Sequence, residues 1–259
     1  EACKSQNADR LVIPPGVYHF YPNRAFQKYC AISNNDNGMK HIAMPLIGFD
    51  GLTIDGQGSE FILHGHMLAI DIEDSKNITV ENLTIDWAQP FHFQAAVTAV
   101  DEENGTIDLE LLAECNVSIQ GRSLVNTEVT TPPDGGKLDD WWTPWQQDLR
   151  WSLFFDGTTK EPIATLSSAA ALPFNLLESP EHFAEKIGEN RYRIHNACQE
   201  YPEVGMVLVA KGMIQHNRLS PAIRLYKAFD TTLRDITIHH AGGMGLIGER
   251  SGDIRLERL

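Results

Sequence analysis

Ile223-Arg-Leu-Tyr-Lys-Ala-Phe-Asp-Thr-Thr-Leu-Arg-Asp-Ile-Thr-Ile238 and Leu246-Ile-Gly-Glu-Arg-Ser-Gly-Asp-Ile-Arg-Leu-Glu-Arg-Leu259 carry the same pattern of apolar and polar residues. Four positions of the first stretch recur 23 positions later in the second. The matched positions are Ile223 with Leu246, Thr231 with Ile254, Leu233 with Leu256, and Ile236 with Leu259. A fixed register of this kind indicates that the chain is built from structural repeats.

The same spacing also occurs 153 positions earlier in the chain. The matched positions there are Ile70, Ile78, Val80, Leu83 and Ile85. Leu52-Thr-Ile-Asp55 repeats Leu83-Thr-Ile-Asp86 letter for letter, and Asp, Asn, Gly and Ser turns separate the apolar runs. Alternating residues indicate short strands with one buried face. With a period of about 20 to 30 residues, such strands predict an all-β fold, a right-handed parallel β-helix.

The repeat divides the chain into three predicted segments, 1–92, 93–212 and 213–259. The first and third contain coils, and the coils are expected to continue beyond Leu259. In the first segment, we predict coil strands at 46–49, 52–54, 61–63, 68–72, 78–80 and 83–85. The polar, Asn-rich residues 23–45 predict a surface excursion with turns.

The middle segment predicts an inserted antiparallel β-barrel-like domain or sandwich. Gln94–Leu111 contains two strand-like runs joined by Asn-Gly, a strong hairpin signal. Residues 189–195 and 205–210 predict two more strands, and 180–186 predicts a small helix. The cluster Trp141, Trp142, Trp145 and Trp151 either packs the insertion onto the coils or stacks sugar rings.

The charge balance restricts the class of ligand. The 259 residues carry a formal charge of −14, which disfavours nucleic acid and anionic membranes as partners but leaves neutral sugars open. No apolar run approaches the roughly 18 residues that span a bilayer. The sequence has no zinc, phosphate-loop or Ser-His-Asp signature, so we predict no cofactor and no metal.

The four cysteines have no metal-like spacing. We expect Cys3, Cys30, Cys115 and Cys198 to be unpaired thiols, with a Cys3–Cys30 disulfide as the alternative for an exported protein.

Polar residues at the coil ends are the candidates for chemistry. Equivalent positions of neighbouring coils lie about 4.8 Å apart. By the 23-residue register, Arg224 aligns with Ile247 and not with another charge, whereas Lys227 aligns with Arg250. Asp55 and Asp86 end strands, where an Asp typically caps a turn.

Two adjacent pairs of residues leave alternatives open. His239 and His240 point to opposite faces, which argues against their binding one metal, so each is either structural or substrate-binding. Glu249-Arg250 is either a surface ion pair or a clamp on a substrate hydroxyl.

Three motifs together resemble glycoside hydrolase family 110. They are Ile13-Pro-Pro-Gly-Val-Tyr-His-Phe-Tyr-Pro22, then Leu52-Thr-Ile-Asp-Gly-Gln-Gly58 followed by Phe61-Ile-Leu-His-Gly65, and Ile238-His-His-Ala-Gly-Gly-Met-Gly-Leu246 followed by Glu249-Arg-Ser-Gly-Asp-Ile254. The resemblance implies a bacterial exo-acting α-1,3-galactosidase that is secreted, periplasmic or on the cell surface. Its substrate would be a galactose-terminated glycan, of blood-group B type or linear Gal-α-1,3-Gal.

The family mechanism is inverting hydrolysis by a general acid and a general base. No Asp or Glu here matches the family's catalytic motifs, so we assign no catalytic residue and expect the acids on coils beyond Leu259, in a longer protein. The substrate-binding candidates are His216, Asn217, Arg224, His240, Glu249 and Arg250. A non-catalytic carbohydrate-binding β-helix and another polysaccharide-active β-helix enzyme are the alternatives. A homodimer, or association with further coils of the same protein, is also left open.

Overall fold

A computed structural model describes residues 2–113, 115–127, 146–148, 152–163, 181–196, 200–211 and 220–259. The chain divides into two compact units. Within the described part, the first unit consists of 2–89 and 220–259, and the second lies between 90 and 211.

The first unit is built on a mostly parallel nine-stranded sheet. A short helix α1 (Ala2–Ser5) and a 3-10 turn (Pro22–Arg24) accompany it. The strands are β1 (Arg10–Val12), β2 (Val17–Phe20), β3 (Phe26–Cys30), β4 (Gly38–Ile47), β5 (Asp50–Leu63), β6 (Met67–Trp87), β16 (Ile223–Ile238), β17 (Leu246–Glu249) and β18 (Gly252–Glu257). All pairs are parallel except the antiparallel hairpin of β3 and β4.

The pairing register confirms both predicted repeat spacings. Ile70 pairs with Ile223 and Ile85 with Ile238, which is the 153-residue spacing. Ile223 pairs in turn with Leu246, which is the 23-residue spacing. The two identical tetrapeptides, Leu52–Asp55 and Leu83–Asp86, do not pair with each other, however, because Leu52 lies opposite Ile78 and not Leu83.

The long strands bend at recurring residues in the left-handed region. Sets of register-equivalent residues have positive φ at three places: Gly48, Asp74, Lys227 and Arg250; Gly51, Asn77, Asp230 and Asp253; and Asn82, Asp235 and Arg258. Gly, Asn and Asp tolerate this conformation best, which explains why the sequence repeats them as turn residues between apolar runs. The side chains between these bends alternate between a buried and an outward face.

The inward face forms the core of the first unit. Stacked buried residues include Ile54, Val80 and Leu233, which follow one another in register from strand to strand. Because each strand contributes one apolar residue to the same column, the core continues along the direction of stacking.

Residues 23–45 differ from the predicted excursion. β3 and β4 form a hairpin there, and β4 then pairs with β6. Cys30, Ile32, Ile42 and Leu68 form a buried cluster against which Ile247 packs. The hairpin therefore covers part of the outward face of the sheet, and the turns of this region are confined to the 3-10 turn Pro22–Arg24 with the bend after it and to residues 31–37.

The second unit is antiparallel. Its strands are β7 (His92–Asp101), β8 (Thr106–Leu111), β9 (Val117–Gln120), β10 (Ser123–Thr127), β11 (Gln146–Asp148), β12 (Ser152–Phe155), β13 (Phe183–Gly188), β14 (Arg191–His195) and β15 (Val207–Lys211). They form a six-stranded sheet, β12-β15-β7-β8-β14-β13, and a three-stranded sheet, β11-β10-β9. Leu124 of β10 joins a buried core with residues of the larger sheet such as Phe93 and Phe154.

Several strand predictions for this unit are confirmed and one helix prediction is wrong. The hairpin around Asn104-Gly105 forms as β7 and β8, and β14 and β15 lie where two further strands were predicted. Where a helix was predicted at 180–186, strand β13 begins at Phe183. All four tryptophans of the predicted cluster lie outside the described residues.

Three of the four cysteines lie in the described residues. Cys3, Cys30 and Cys115 are free, so the Cys3–Cys30 disulfide is not formed, and Cys198 lies outside the described residues.

In the part of the chain that the structure describes, no helix combines the length and apolar character that crossing a membrane requires.

Candidate functional site

A cluster of charged side chains lies on the outward face beneath the β3–β4 hairpin. Asp71 and Glu73 of β6 are two residues apart and so point to the same face. The register places Arg224 beside Asp71 and Tyr226 beside Glu73. The sheet thus brings residues 153 positions apart in sequence into direct contact.

The guanidinium of Arg224 holds the two carboxylates together. Its Nη1 donates to Asp71 Oδ1 at 2.8 Å and to Glu73 Oε2 at 2.7 Å. Lys28 of the hairpin pairs with Glu73 from the other side. Asp71 is 0% exposed and Arg224 is 3% exposed. Arg224 and the two carboxylates are therefore buried together, and Lys28, whose side chain is 28% exposed, adds a second cation from the surface side.

The two carboxylates respond differently to burial. Burial raises the pKa of Asp71 above its ordinary value, because desolvation outweighs its attraction to Arg224. Glu73 is also penalised by burial, but hydrogen bonds from Lys28 and Arg224 outweigh that penalty and lower its pKa. Asp71 is the more deeply buried carboxylate and has one cation as a hydrogen-bond partner, whereas Glu73 is less buried and has two, which accounts for the opposite directions.

Arg224 was predicted to line a substrate site and, in the 23-residue register, to align with Ile247, and this alignment is confirmed. Its neighbour on the other strand is Asp71, a charge that the 23-residue register does not include. The 153-residue spacing already contained this neighbour. Direct contact between Arg224 and a substrate remains a prediction.

Glu249 and Arg250 do not pair with each other in the described structure. Glu249 Oε1 accepts hydrogen bonds from Ser33 N at 3.1 Å and from Ser33 Oγ at 2.5 Å. Arg250 lies with its guanidinium carbon 5.9 Å from the ring centroid of Tyr226. The loop after β3 therefore binds Glu249, while Arg250 stays exposed beside an aromatic ring.

His240 contacts a carboxylate at the end of the neighbouring strand. His240 Nδ1 lies 2.8 Å from Asp86 Oδ1, and the same oxygen accepts the Trp87 backbone N–H at 2.7 Å. The backbone of His240 is left-handed, with φ of 50°. Asp86 thus caps a strand end, as predicted for it, and also contacts the imidazole.

Other residues at the same strand ends were not found from the sequence. His19 Nδ1 lies 3.0 Å from His64 Nε2, and the Tyr21 ring stacks on His64 at 4.1 Å. Burial, followed by the nearby His19, lowers the pKa of His64. The offset of 43 residues that pairs β2 with β5 would have been the signal, but the apolar pattern of β2 is too short to reveal it.

The remaining predicted site residues, His216 and Asn217, lie outside the described residues. In the described ranges, no group of three or more His, Cys, Asp or Glu is arranged to hold a metal ion. The described side chains can offer hydrogen bonds to a polar ligand at His240 and Arg250. Asp71 and Glu73, by contrast, are committed to internal cations.

The known proteins to which the chain is similar in sequence share one name. The chain is 30% identical over 258 residues to Alpha-1,3-galactosidase A of Shewanella woodyi, which covers 99% of this chain and 39% of that protein. It is 29% identical over 258 residues to Alpha-1,3-galactosidase B of Parabacteroides distasonis, covering 99% of this chain and 38% of the relative. The chain is a homologue of the α-1,3-galactosidases. This homology confirms the resemblance to glycoside hydrolase family 110.

The α-1,3-galactosidase homology extends to Bacteroides thetaiotaomicron, whose Alpha-1,3-galactosidase B is 28% identical over 257 residues. The chain spans about 38–39% of the length of these three relatives. No family model matches the chain.

Proposed function

We propose that this chain is part of a glycoside hydrolase that removes terminal α-1,3-linked galactose from glycans. The observation that carries the proposal is the similarity to α-1,3-galactosidases over 99% of the chain. The whole protein would act on blood-group B type or linear Gal-α-1,3-Gal ends. We further propose that it is a bacterial protein that acts outside the cytoplasm, as a homodimer or in association with further coils of the same protein.

The scaffold of this enzyme is proposed to be a right-handed parallel β-helix. Support comes from parallel pairing at constant spacings and from left-handed residues that recur at the same place in successive repeats. Crossover connections between parallel strands are overwhelmingly right-handed, which favours that hand. Residues 93–212 would form the inserted antiparallel domain between coils 1–92 and coils 213–259.

The galactose site is proposed to be walled by His216, Asn217, Arg224, His240, Glu249 and Arg250. Of these, His240 and Arg250 are exposed. Arg224 would support the site indirectly, since its guanidinium donates hydrogen bonds to Asp71 and Glu73. Glu249 would hold the loop at Ser33 in place beside the site.

Hydrolysis with inversion needs a general acid and a general base whose carboxyl groups lie roughly 6.5–9.5 Å apart. Asp71 and Glu73 lie on one strand but are neutralised by Arg224 and Lys28, so they are poor candidates for either role. We therefore propose that the acid and the base lie outside residues 1–259.

The test uses the full-length protein and the disaccharide Gal-α-1,3-Gal. Proton NMR during the first minutes would identify the anomer of the released galactose. Initial release of β-galactose supports an inverting α-1,3-galactosidase, whereas initial α-galactose contradicts the proposed mechanism. Absence of release, with α-1,4- and α-1,6-linked galactosides also tested, would reject the proposed specificity.

A non-catalytic carbohydrate-binding role is the second candidate. It is favoured by the commitment of Asp71 and Glu73 to internal cations. Binding of a galactose-terminated glycan by the full-length protein without any turnover would favour this role over hydrolysis.

A further inference from the structure

A surface cleft of about 640 Å³ lies along one bend of the parallel sheet, and Arg250, which is also a residue of the proposed galactose site, lies at its border. We call it the corner groove and define it by six of its lining residues, Asp50, Asp74, Lys76, Lys227, Phe229 and Arg250. These residues come from successive strands and from the turn after β17. Because they occupy bends of neighbouring repeats, their side chains project outward beside one another.

The corner groove contains an exposed aromatic ring. Phe229 is 45% exposed although it lies within strand β16. Phe49, which also lines the cleft, has Lys4 Nζ 5.0 Å from its ring centroid, so its face is partly covered. Phe229 pairs in register with Gly252, where an added Cβ would lie 3.4 Å from the ring. The absence of a side chain at position 252 leaves this ring open.

Four of the five charged side chains around Phe229 are arranged in two neutral pairs. Lys76 Nζ lies 3.1 Å from Asp50, and Lys227 Nζ lies 3.5 Å from Asp74. All four side chains are about half exposed, and Asp50 Oδ1 also accepts a hydrogen bond from Asn77 Nδ2 at 2.8 Å. Arg250 adds a guanidinium that has no carboxylate partner among the residues described here.

This combination matches a neutral, hydroxyl-rich ligand. An apolar ring offers a surface to the C–H face of a sugar, and alternating ammonium and carboxylate groups can donate to and accept from its hydroxyls. A polyanion would meet Asp50 and Asp74 and, at longer range, a chain with a formal charge of −14. An apolar partner would bury charged pairs at a cost in desolvation.

We propose that the corner groove is a binding subsite for a neutral, galactose-terminated saccharide, with the sugar stacked on Phe229. The choice of galactose rests on the proposed function, but the preference for a neutral saccharide rests on the groove itself. The subsite would hold part of a glycan away from the reacting bond, or a second glycan chain.

The test is a calorimetric titration of the full-length protein with a galactose-terminated trisaccharide, comparing wild type with Phe229→Ala. We expect the substitution to weaken binding about five- to tenfold, since aromatic contacts contribute beyond their buried area. Phe26→Ala is the matched control, because Phe26 is 47% exposed on strand β3, outside the groove. It should leave the affinity unchanged.

Gly252→Thr is a second variant that keeps Phe229 but covers its ring. Gly252 does not need a positive φ, so a β-branched residue fits this strand without backbone strain. It should weaken binding in the same direction as Phe229→Ala. Circular dichroism of each variant would verify that the fold is retained.

Equal affinities for wild type, Phe229→Ala and Gly252→Thr would overturn the proposal. Tighter binding of a 6-sulfated galactoside than of the neutral sugar would overturn the assignment to a neutral ligand. Hydrolysis of Gal-α-1,3-Gal with no dependence of binding on Phe229 would reject the groove alone. Binding that depends on Phe229 without any hydrolysis would reject the proposed enzyme activity alone.

Discussion

Two outward faces of the parallel sheet carry similar charges in the same stacked arrangement, yet they differ in burial. On the covered face, Arg224 joins Asp71 and Glu73 beneath the β3–β4 hairpin. On the open face, Asp55, Glu81 and Arg234 follow one another in register, and Arg234 pairs with Glu81. Both faces therefore use residues of opposite charge at neighbouring positions of successive strands.

The comparison separates what the register does from what burial does. The register alone brings opposite charges together on both faces. On the open face Glu81 is itself only 6% exposed, but the two arginines that reach it, Arg10 and Arg234, have side chains that are 49% and 40% exposed. Water can therefore solvate the cation when a pair separates, so such pairs contribute less to stability. On the covered face, loss of one partner leaves a charge without water or counter-ion, which is strongly destabilising. The hairpin, and not the pairing, makes the Arg224 cluster important.

Replacement of Arg224 by methionine should have the largest effect. It leaves Asp71 buried without a cation, and we expect the free energy of unfolding to fall by about 3–5 kcal/mol. Urea denaturation of wild type and variant measures this change. Arg234→Met is the matched control on the open face, where Glu81 retains Arg10 at 3.6 Å. Similar losses for the two variants would contradict the role assigned to the hairpin.

Lys40 in the covering hairpin predicts an unusual pH dependence. Its side chain is 1% exposed, and burial lowers its pKa to about 8 from 10.5. Between these two values the unfolded chain binds more protons than the folded chain, so this lysine makes stability rise with pH. We expect the stability of wild type relative to Lys40→Met to increase by about 3 kcal/mol from pH 7.5 to pH 10.5. Denaturation at several pH values gives this difference, and a flat difference across the range would refute the prediction.

The sequence predicts the stacked strands well because their signal is long and repeated. Spacings of 153 and 23 residues involve several matched positions each, and the structure pairs the same residues. The hairpin over the covered face was missed for two reasons. The Asn-rich run near residue 35 dominates the local pattern, and β3 gains its partner only through β4. Strand β13 was taken for a helix because its preference is set by pairing with β14 and not by local sequence.

The candidate site was less predictable than the fold. Asp71 could have been found beside Arg224 from the 153-residue spacing, which places them at equivalent positions. The contact of Ser33 with Glu249 could not, because it joins a loop to a strand 216 residues later without any repeat. Burial of Arg224 was likewise not apparent, since it depends on the unpredicted hairpin.

The loop at Ser33 offers an intermediate test, at the border between the covered and open regions. Ser33→Ala removes one of the two hydrogen bonds from this residue to Glu249. We expect a loss of about 1–2 kcal/mol in the free energy of unfolding, since hydrogen bonds to charged groups exceed the average. Ser33→Thr keeps the hydroxyl and should restore most of this loss. Faster hydrogen exchange of the backbone amide at position 33 in Ser33→Ala than in wild type would locate the effect in the loop. Equal exchange rates would argue against a role of this loop in the loss of stability.

The smallest effect is expected at the open strand end that carries Asp86 and His240. Asp86→Ala removes the acceptor for His240 Nδ1, whereas Asp86→Asn keeps an oxygen there. We expect the alanine variant to lose about 1 kcal/mol or less in stability, because His240 is exposed and water replaces the lost partner. The informative measurement is nitrogen-15 NMR of the His240 ring, in which Nδ1 should carry the proton in wild type and in Asp86→Asn. If the ring tautomer is the same in Asp86→Ala, Asp86 does not orient His240. The carboxylate at the open strand end would then not set the orientation of its partner ring, in contrast to the two carboxylates that hold Arg224 on the covered face.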